Sequence, residues 1–205
     1  MHSAKLIRWS GLLAIVGGVI WTGSWILDRF TEDGTRAVLG LSERGWRRML
    51  DPAMLFFMAG LVGFYARQAG KTRKLGKTGF IIGLAGLGTM LIGNVIEFWV
   101  GPLLYADVPG EFKPTDHLGW ATMIVGFVVV PIGFILLGVA TLRAKVLPRW
   151  RRALPLIIGL MITSGMLLAF GIGEAGLVIS FLSFGLGWLV LGYGLWSDRS
   201  EQKVA

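Results

Sequence analysis

Six stretches of this chain run for 15 to 25 residues without a charged side chain. An apolar helix needs about 20 residues to cross roughly 30 Å of hydrocarbon. The second stretch has only 15 residues, so we expect a basic residue at its end to snorkel towards water or the bilayer to thin around it. The pattern predicts spans at about 9–27, 52–66, 78–100, 118–142, 153–173 and 175–197.

Composition leaves little room for any other class of protein. Residues of the AVILMFWYC set make up 54% of the chain, 31 glycines come in addition, and charged residues are 16%. A soluble domain has about 45–50% apolar residues with glycine included. We therefore expect an all-α, polytopic membrane protein with one transmembrane domain over 1–205. Because cysteine is absent, disulfides, thiolate metal sites and cysteine nucleophiles are excluded.

The positions of the basic residues predict an orientation. Fourteen of the 20 lysines and arginines lie in the two termini and in the second and fourth loops, whereas the other three loops hold six. Basic residues in short loops stay on the cytoplasmic side. Both termini are therefore expected inside, and the net charge of +8 indicates attraction to anionic lipid rather than to nucleic acid.

Small residues predict how the spans pack. In lipid, helices associate where small side chains let their backbones approach closely. Gly18 of the first span lies in one such stripe, and Gly187 of the sixth lies in another. We expect intramolecular packing of six helices in three hairpins.

Several functions of membrane proteins require residues that this chain lacks. Only two histidines are present, one of them at position 2, so a bis-histidine haem inside the bundle is excluded, and no lysine lies within a span to form a retinal Schiff base. Motifs for phosphate loops and zinc hydrolases are missing. No cofactor and no metal site are predicted.

Polar residues concentrate at the outer end of the predicted bundle, and several have a structural interpretation. Asp51 precedes Pro52, which predicts that Asp51 is the N-cap of the second span. Asp116 lies where the fourth span begins, and a negative charge there complements the helix dipole. The stretch 42–50 is typical of a short amphipathic helix lying on the membrane interface.

Glu97 is the main functional candidate. It lies near the outer end of the third span, and the next basic residue after it in the sequence is Lys113. We hypothesise that Asn94 orients Glu97, which forms the polar end of an apolar pocket that opens outward. The predicted ligand-binding residues are Asn94, Glu97, Asp28, Arg47, Arg48, Asp116 and His117, and Glu97 is also the catalytic candidate.

Three functions stay open at this point. The first is binding of a lipid, a hydrophobic small molecule or a membrane partner through the outward-facing pocket. The second is an intramembrane enzyme of the isomerase or cyclase type, acting on a lipophilic substrate with Glu97 as general acid or base. The third is a facilitator for a small uncharged solute. Membrane lipids are the expected surroundings, and a prokaryotic cytoplasmic membrane is the expected location.

Overall fold

The computed structural model describes residues 2–31, 37–105, 113–145 and 151–197, and this part of the chain is all-α, as expected. It contains no β-strand, only one isolated bridge between Val38 and Leu41. The helices are α1 (His2–Asp28), α2 (Glu43–Arg48), α3 (Leu50–Gln68), α4 (Arg73–Val95), a π-helical segment (Ile96–Val100), α5 (Gly101–Leu104), α6 (Pro114–Ala144), α7 (Leu154–Ile172) and α8 (Glu174–Trp196).

Five of the helical stretches are long and apolar enough to cross a membrane. The short second span predicted at 52–66 lies inside a longer stretch, because α2 and α3 together give 26 residues. The fifth predicted span, 153–173, falls on α7, whose apolar part Leu154–Ala169 is shorter than the others, so this span stays a prediction. The five stretches are Lys5–Asp28, Glu43–Gln68, Arg73–Leu104, Pro114–Ala144 and Ala175–Trp196.

Six long helices form a closed ring within the described residues. Each packs on two neighbours, in the order α1, α3, α4, α6, α7, α8 and back to α1. Neighbouring helices run antiparallel: Gly11 of α1 lies against Gly192 of α8, whereas Gly18 lies against Gly185. The ring therefore has two distinct ends. We call them the α2 end, where α1 stops and α3 and α6 begin, and the basic end, where α1 begins and α3 and α6 stop.

Glycines form a seam along the whole contact between α4 and α6. A Cβ atom added at Gly86 would lie 2.8 Å from the backbone nitrogen of Val130, and one at Gly126 would lie 2.6 Å from the carbonyl oxygen of Gly86. Such distances leave no room for a side chain, so the two backbones are in direct contact. The seam repeats every seven residues on both helices, at Gly79, Gly86 and Gly93 and at Gly119, Gly126 and Gly133.

The small residues in the predicted stripes pack against more than one neighbouring helix. Gly18 packs on α8, as a Cβ there would come within 2.8 Å of Leu189, whereas Ala14 packs on Gly60 of α3. Gly187 faces Ile158 of α7. Small residues of α1 therefore face two different neighbours, Ala14 towards α3 and Gly18 towards α8.

Aromatic side chains fill the centre of the ring. Phe57 and Trp188 stack with ring centroids 4.5 Å apart, and Phe184 meets Phe127 edge-on from across the ring. Trp21 donates a hydrogen bond of 2.9 Å from its indole nitrogen to the carbonyl oxygen of Phe181. These rings form a packed aromatic column in the middle of the helical ring. Its buried members are Trp21, Phe57, Phe127, Phe134, Phe181, Phe184 and Trp188.

Candidate functional site

The short helix α2 covers part of the α2 end. Ser42 caps it, since its hydroxyl oxygen accepts a hydrogen bond from the backbone nitrogen of Gly45 at 3.4 Å. The short helix predicted within 42–50 is thus present with six residues, and Met49 alone separates it from α3. This short connection fixes the position of the arginines of α2 over the ring.

Asp51 joins three helical segments and does not act as an N-cap. Helix α3 begins at Leu50, with Met49 in the N-cap position, so Asp51 already lies inside the first turn. Its carboxylate accepts hydrogen bonds from the side-chain amide of Asn94 at 2.8 Å and from the indole nitrogen of Trp99 at 2.6 Å. The capping prediction is wrong because donors from α4 and the π-helical segment occupy this carboxylate.

Asn94 acts on α2 rather than on Glu97. It is fully buried, and its amide nitrogen also donates to the backbone carbonyl of Arg47 at 3.1 Å. In the described part of the chain, the amide oxygen of Asn94 has no hydrogen-bond partner. Asn94 therefore holds α2 and α3 in place beside the site, and the structure gives it no contact that would orient Glu97.

Arg47 pairs with the carboxylate at the end of α1. One guanidinium nitrogen lies 2.6 Å from a carboxylate oxygen of Asp28, whose side chain is only 5% exposed. The guanidinium carbon also lies 4.4 Å above the centre of the Trp25 ring, which adds a cation–π contact. Arg47 and Asp28, both predicted site residues, are thus brought together and partly neutralise each other.

Arg48 turns away from the other predicted site residues. Its Nε atom donates to the backbone carbonyl of Phe98 at 2.9 Å, and its guanidinium lies 4.4 Å above the ring centre of Trp99. These contacts attach α2 to the π-helical segment. Arg48 therefore has a structural role in this arrangement.

Glu97 lies on the wall of a cavity of about 290 Å³ at the α2 end. The helix does not stop near Glu97, as its position had suggested, but continues through the π-helical segment into α5. Glu97 packs closely on Gly119 of α6, where an added Cβ would lie 2.6 Å from the Cβ of Glu97. Apolar side chains form most of the remaining wall, and the full lining is Trp25, Arg29, Glu43, Arg47, Glu97, Phe98, Trp120, Leu177, Val178 and Phe181.

One carboxylate oxygen of Glu97 is buried with no hydrogen-bond partner among the described residues. The indole nitrogen of Trp25, on the same cavity, is also buried and unpaired within that part of the chain. An unsatisfied buried polar group costs about 1–3 kcal/mol, and more when it is charged. Two residues of the cavity wall, Glu97 and Trp25, thus each carry a buried polar atom that no described residue satisfies.

The two remaining predicted residues lie at the start of α6. Asp116 accepts a hydrogen bond of 2.9 Å from the backbone nitrogen of Lys113, which confirms the predicted cap. His117 is exposed next to it. Neither lines the cavity. Within the described ranges, no three histidine, aspartate or glutamate side chains are grouped closely enough to hold a metal ion.

The sequence did not reveal the contacts of Asp51 with other helices or the aromatic residues that line the cavity. Trp25 lies three residues before Asp28, so the two share a face of α1, and this spacing was a usable signal. Trp120 and Phe181 come from α6 and α8, and nothing local in the sequence links them to Glu97. No family model, curated protein or solved structure matches this chain.

Proposed function

We propose that this protein is an integral membrane protein that binds an amphiphilic molecule in the cavity at the α2 end. The apolar part of the ligand contacts Trp25, Trp120 and Phe181, and a polar group of the ligand donates a hydrogen bond to Glu97. The observation that carries the proposal is the buried, unpartnered carboxylate oxygen of Glu97 on the wall of an otherwise largely aromatic and aliphatic cavity. Ionisable residues within membrane segments are rare and mark functional sites.

The size of the cavity favours a headgroup or a small hydrophobic molecule as its occupant. Ligand pockets commonly measure about 300–1,000 Å³. A cavity of about 290 Å³ is at the lower limit, so a whole two-chain lipid does not fit inside it. The ligand is a small lipophilic molecule, the polar end of a lipid, or a side chain of a membrane partner.

The proposed placement in the membrane has six spans in three hairpins, formed by α1 with α3, α4 with α6, and α7 with α8. Both termini lie inside, the α2 end faces outward, and the membrane is the cytoplasmic membrane of a prokaryote. The antiparallel ring and the 14 basic residues in the termini and the second and fourth loops support this orientation. Reporter fusions after Gly70 and after Gly110 test it: the first is expected inside and the second outside, and the same side for both contradicts six spans.

Native mass spectrometry of the purified protein tests ligand binding most simply. The protein is extracted in mild detergent, and bound small molecules are identified for the wild type and for Glu97→Gln. The variant keeps the shape of the side chain but replaces one acceptor oxygen with an amide group, so we expect it to retain at least tenfold less ligand at an unchanged melting temperature.

Thr122→Val is the matched control for that experiment. Thr122 is half-buried on α6, and its hydroxyl donates an exposed hydrogen bond to the carbonyl of Leu118 in its own helix. We expect this variant to retain ligand like the wild type. Equal retention by wild type and Glu97→Gln contradicts the proposed site.

A second candidate function is catalysis in the same cavity. In this function the carboxyl group of Glu97 exchanges a proton with a bound lipophilic substrate, and Arg47 lines the same cavity. An isomerase or cyclase would convert the copurified ligand, so a product that accumulates with the wild type but not with Glu97→Gln distinguishes catalysis from binding. The third function, a facilitator for an uncharged solute, is disfavoured by the aromatic column that fills the ring.

A further inference from the structure

A second cavity, of about 350 Å³, lies at the opposite, basic end of the ring. It is a groove between the first turns of α1 and the last turn of α8, far from Glu97. Its walls are Lys5, Arg8, Trp9, Leu12 and Trp196. Neither the proposed function nor the predicted site involves any of these residues.

The groove has a charged part and an apolar part in a fixed order. Lys5, Arg8 and Leu12 are spaced so that they lie along one face of α1. The two cations are in the first two turns, and Leu12 is one turn further towards the middle of the bundle. Trp9 is 64% exposed and Trp196 is 44% exposed, which is unusual for such large side chains in water but typical of the level of lipid headgroups.

No carboxylate neutralises the groove within the described residues. Every acidic residue of that part of the chain lies at the α2 end, and the charged residues described at the basic end are lysines and arginines. Lys5 and Arg8 are exposed, and no salt bridge or hydrogen bond of either side chain is present in the part of the chain described. Two cations above an apolar wall therefore attract an anion that carries an apolar tail.

We propose that this groove binds the headgroup of an anionic phospholipid, with the phosphate between Lys5 and Arg8 and the first part of an acyl chain along Leu12 and Trp196. The shared chemistry is a phosphate anion, which a free phosphate could also supply. The apolar wall favours the lipid, because five helical stretches of this chain are long and apolar enough to lie in a bilayer. Basic residues near the surface of an anionic membrane each contribute about 1 kcal/mol to binding.

The test measures retention of phosphatidylglycerol by native mass spectrometry, with phosphatidylcholine as the neutral probe. We expect the wild type to retain phosphatidylglycerol in preference to phosphatidylcholine. The double variant Lys5→Gln with Arg8→Gln removes both cations, and its affinity for phosphatidylglycerol is expected to fall roughly 30-fold. The exchange Lys5→Arg with Arg8→Lys keeps both charges and is expected to retain the lipid.

Lys74→Gln with Lys77→Gln is the matched control, because it removes two exposed cations from the same end but outside the groove. This control is expected to lower the affinity less than threefold. An equal loss for both double variants shows general charge attraction and overturns the site. Glycerol phosphate that binds as tightly as the lipid overturns the lipid assignment, and equal retention of the two lipids overturns the proposal. If the double variant does not fold, the single variant Lys5→Gln gives the same comparison.

Discussion

The two ends of the ring differ in how their charged groups are buried and paired. At the α2 end, Asp28 is buried against Arg47, and Asp51 is held by donors from Asn94 and Trp99. At the basic end, Lys5 and Arg8 are exposed and have no acidic neighbour among the described residues. The α2 end therefore holds acidic groups in buried contacts between helices, whereas the basic end presents exposed cations without acidic neighbours in the described part of the chain.

Removing one partner of the buried ion pair should have the largest effect on stability. Arg47→Met leaves the carboxylate of Asp28 buried without its partner, and breaking such a pair costs about 3 kcal/mol or more. Lys74→Met removes an exposed cation at the basic end and should change the free energy of unfolding by less than about 0.5 kcal/mol. Thermal or denaturant unfolding in detergent measures both, and similar values would contradict the contrast between the ends.

The glycine seam allows both ends to be perturbed by the same substitution. A Cβ atom added at Gly119 would lie 2.6 Å from the Cβ of Glu97 and 2.7 Å from the carbonyl oxygen of Gly93. One added at Gly133 would press against the backbone of Gly83 and lie 2.8 Å from the carbonyl oxygen of Gly79. Gly119→Ala and Gly133→Ala are therefore both expected to cost about 2 kcal/mol through overpacking. Only Gly119→Ala also displaces Glu97, so it alone should reduce ligand retention by more than tenfold.

That pair of variants separates stability from binding. If Gly133→Ala also loses ligand, retention follows the stability of the bundle and not the position of Glu97. If Gly119→Ala retains ligand fully, the close contact between α6 and Glu97 has no part in the site.

Buried hydrogen bonds at the two ends should give the smallest effects. Asp51→Ala removes the acceptor of two donors and should cost about 1–2 kcal/mol. At the basic end, the hydroxyl of Thr141 donates to the buried amide oxygen of Gln68 at 2.8 Å, so Thr141→Val should cost about 1 kcal/mol. We expect only Asp51→Ala to loosen α2 and so alter the cavity. Faster proteolytic cleavage around α2 would detect this change. Equal protection in both variants would contradict the role of Asp51 in holding α2.

Local features of the sequence predicted the fold better than the site. The lengths of the uncharged stretches predicted the long helices, and the amphipathic pattern of 42–50 predicted the position of α2. The seam at Gly93, Gly119 and Gly126 was not predicted, because its glycines recur only every seven residues, which is a weak signal in a chain with 31 glycines. Its partners are also set by which helices meet in the ring.

The site depended on contacts between distant segments. Asp51 has the local signature of a helix cap, but donors 43 and 48 residues away determine its role. Glu97 was predicted to lie near the outer end of the third span, and it lines the cavity at the α2 end, but its role as a site residue stays a prediction. Its companions Trp25, Trp120 and Phe181 come from three different helices, and a single sequence gives no signal that joins them.

The central claim is that the cavity at the α2 end holds a ligand through Glu97. An experimental structure of the protein purified with its natural lipids tests this claim most directly. We expect density for an elongated molecule among Trp25, Trp120 and Phe181, with a polar atom about 2.6–3.2 Å from the carboxylate of Glu97. A cavity that contains only water would contradict it. So would a Glu97 carboxylate that points away from the cavity and pairs with another residue of the chain.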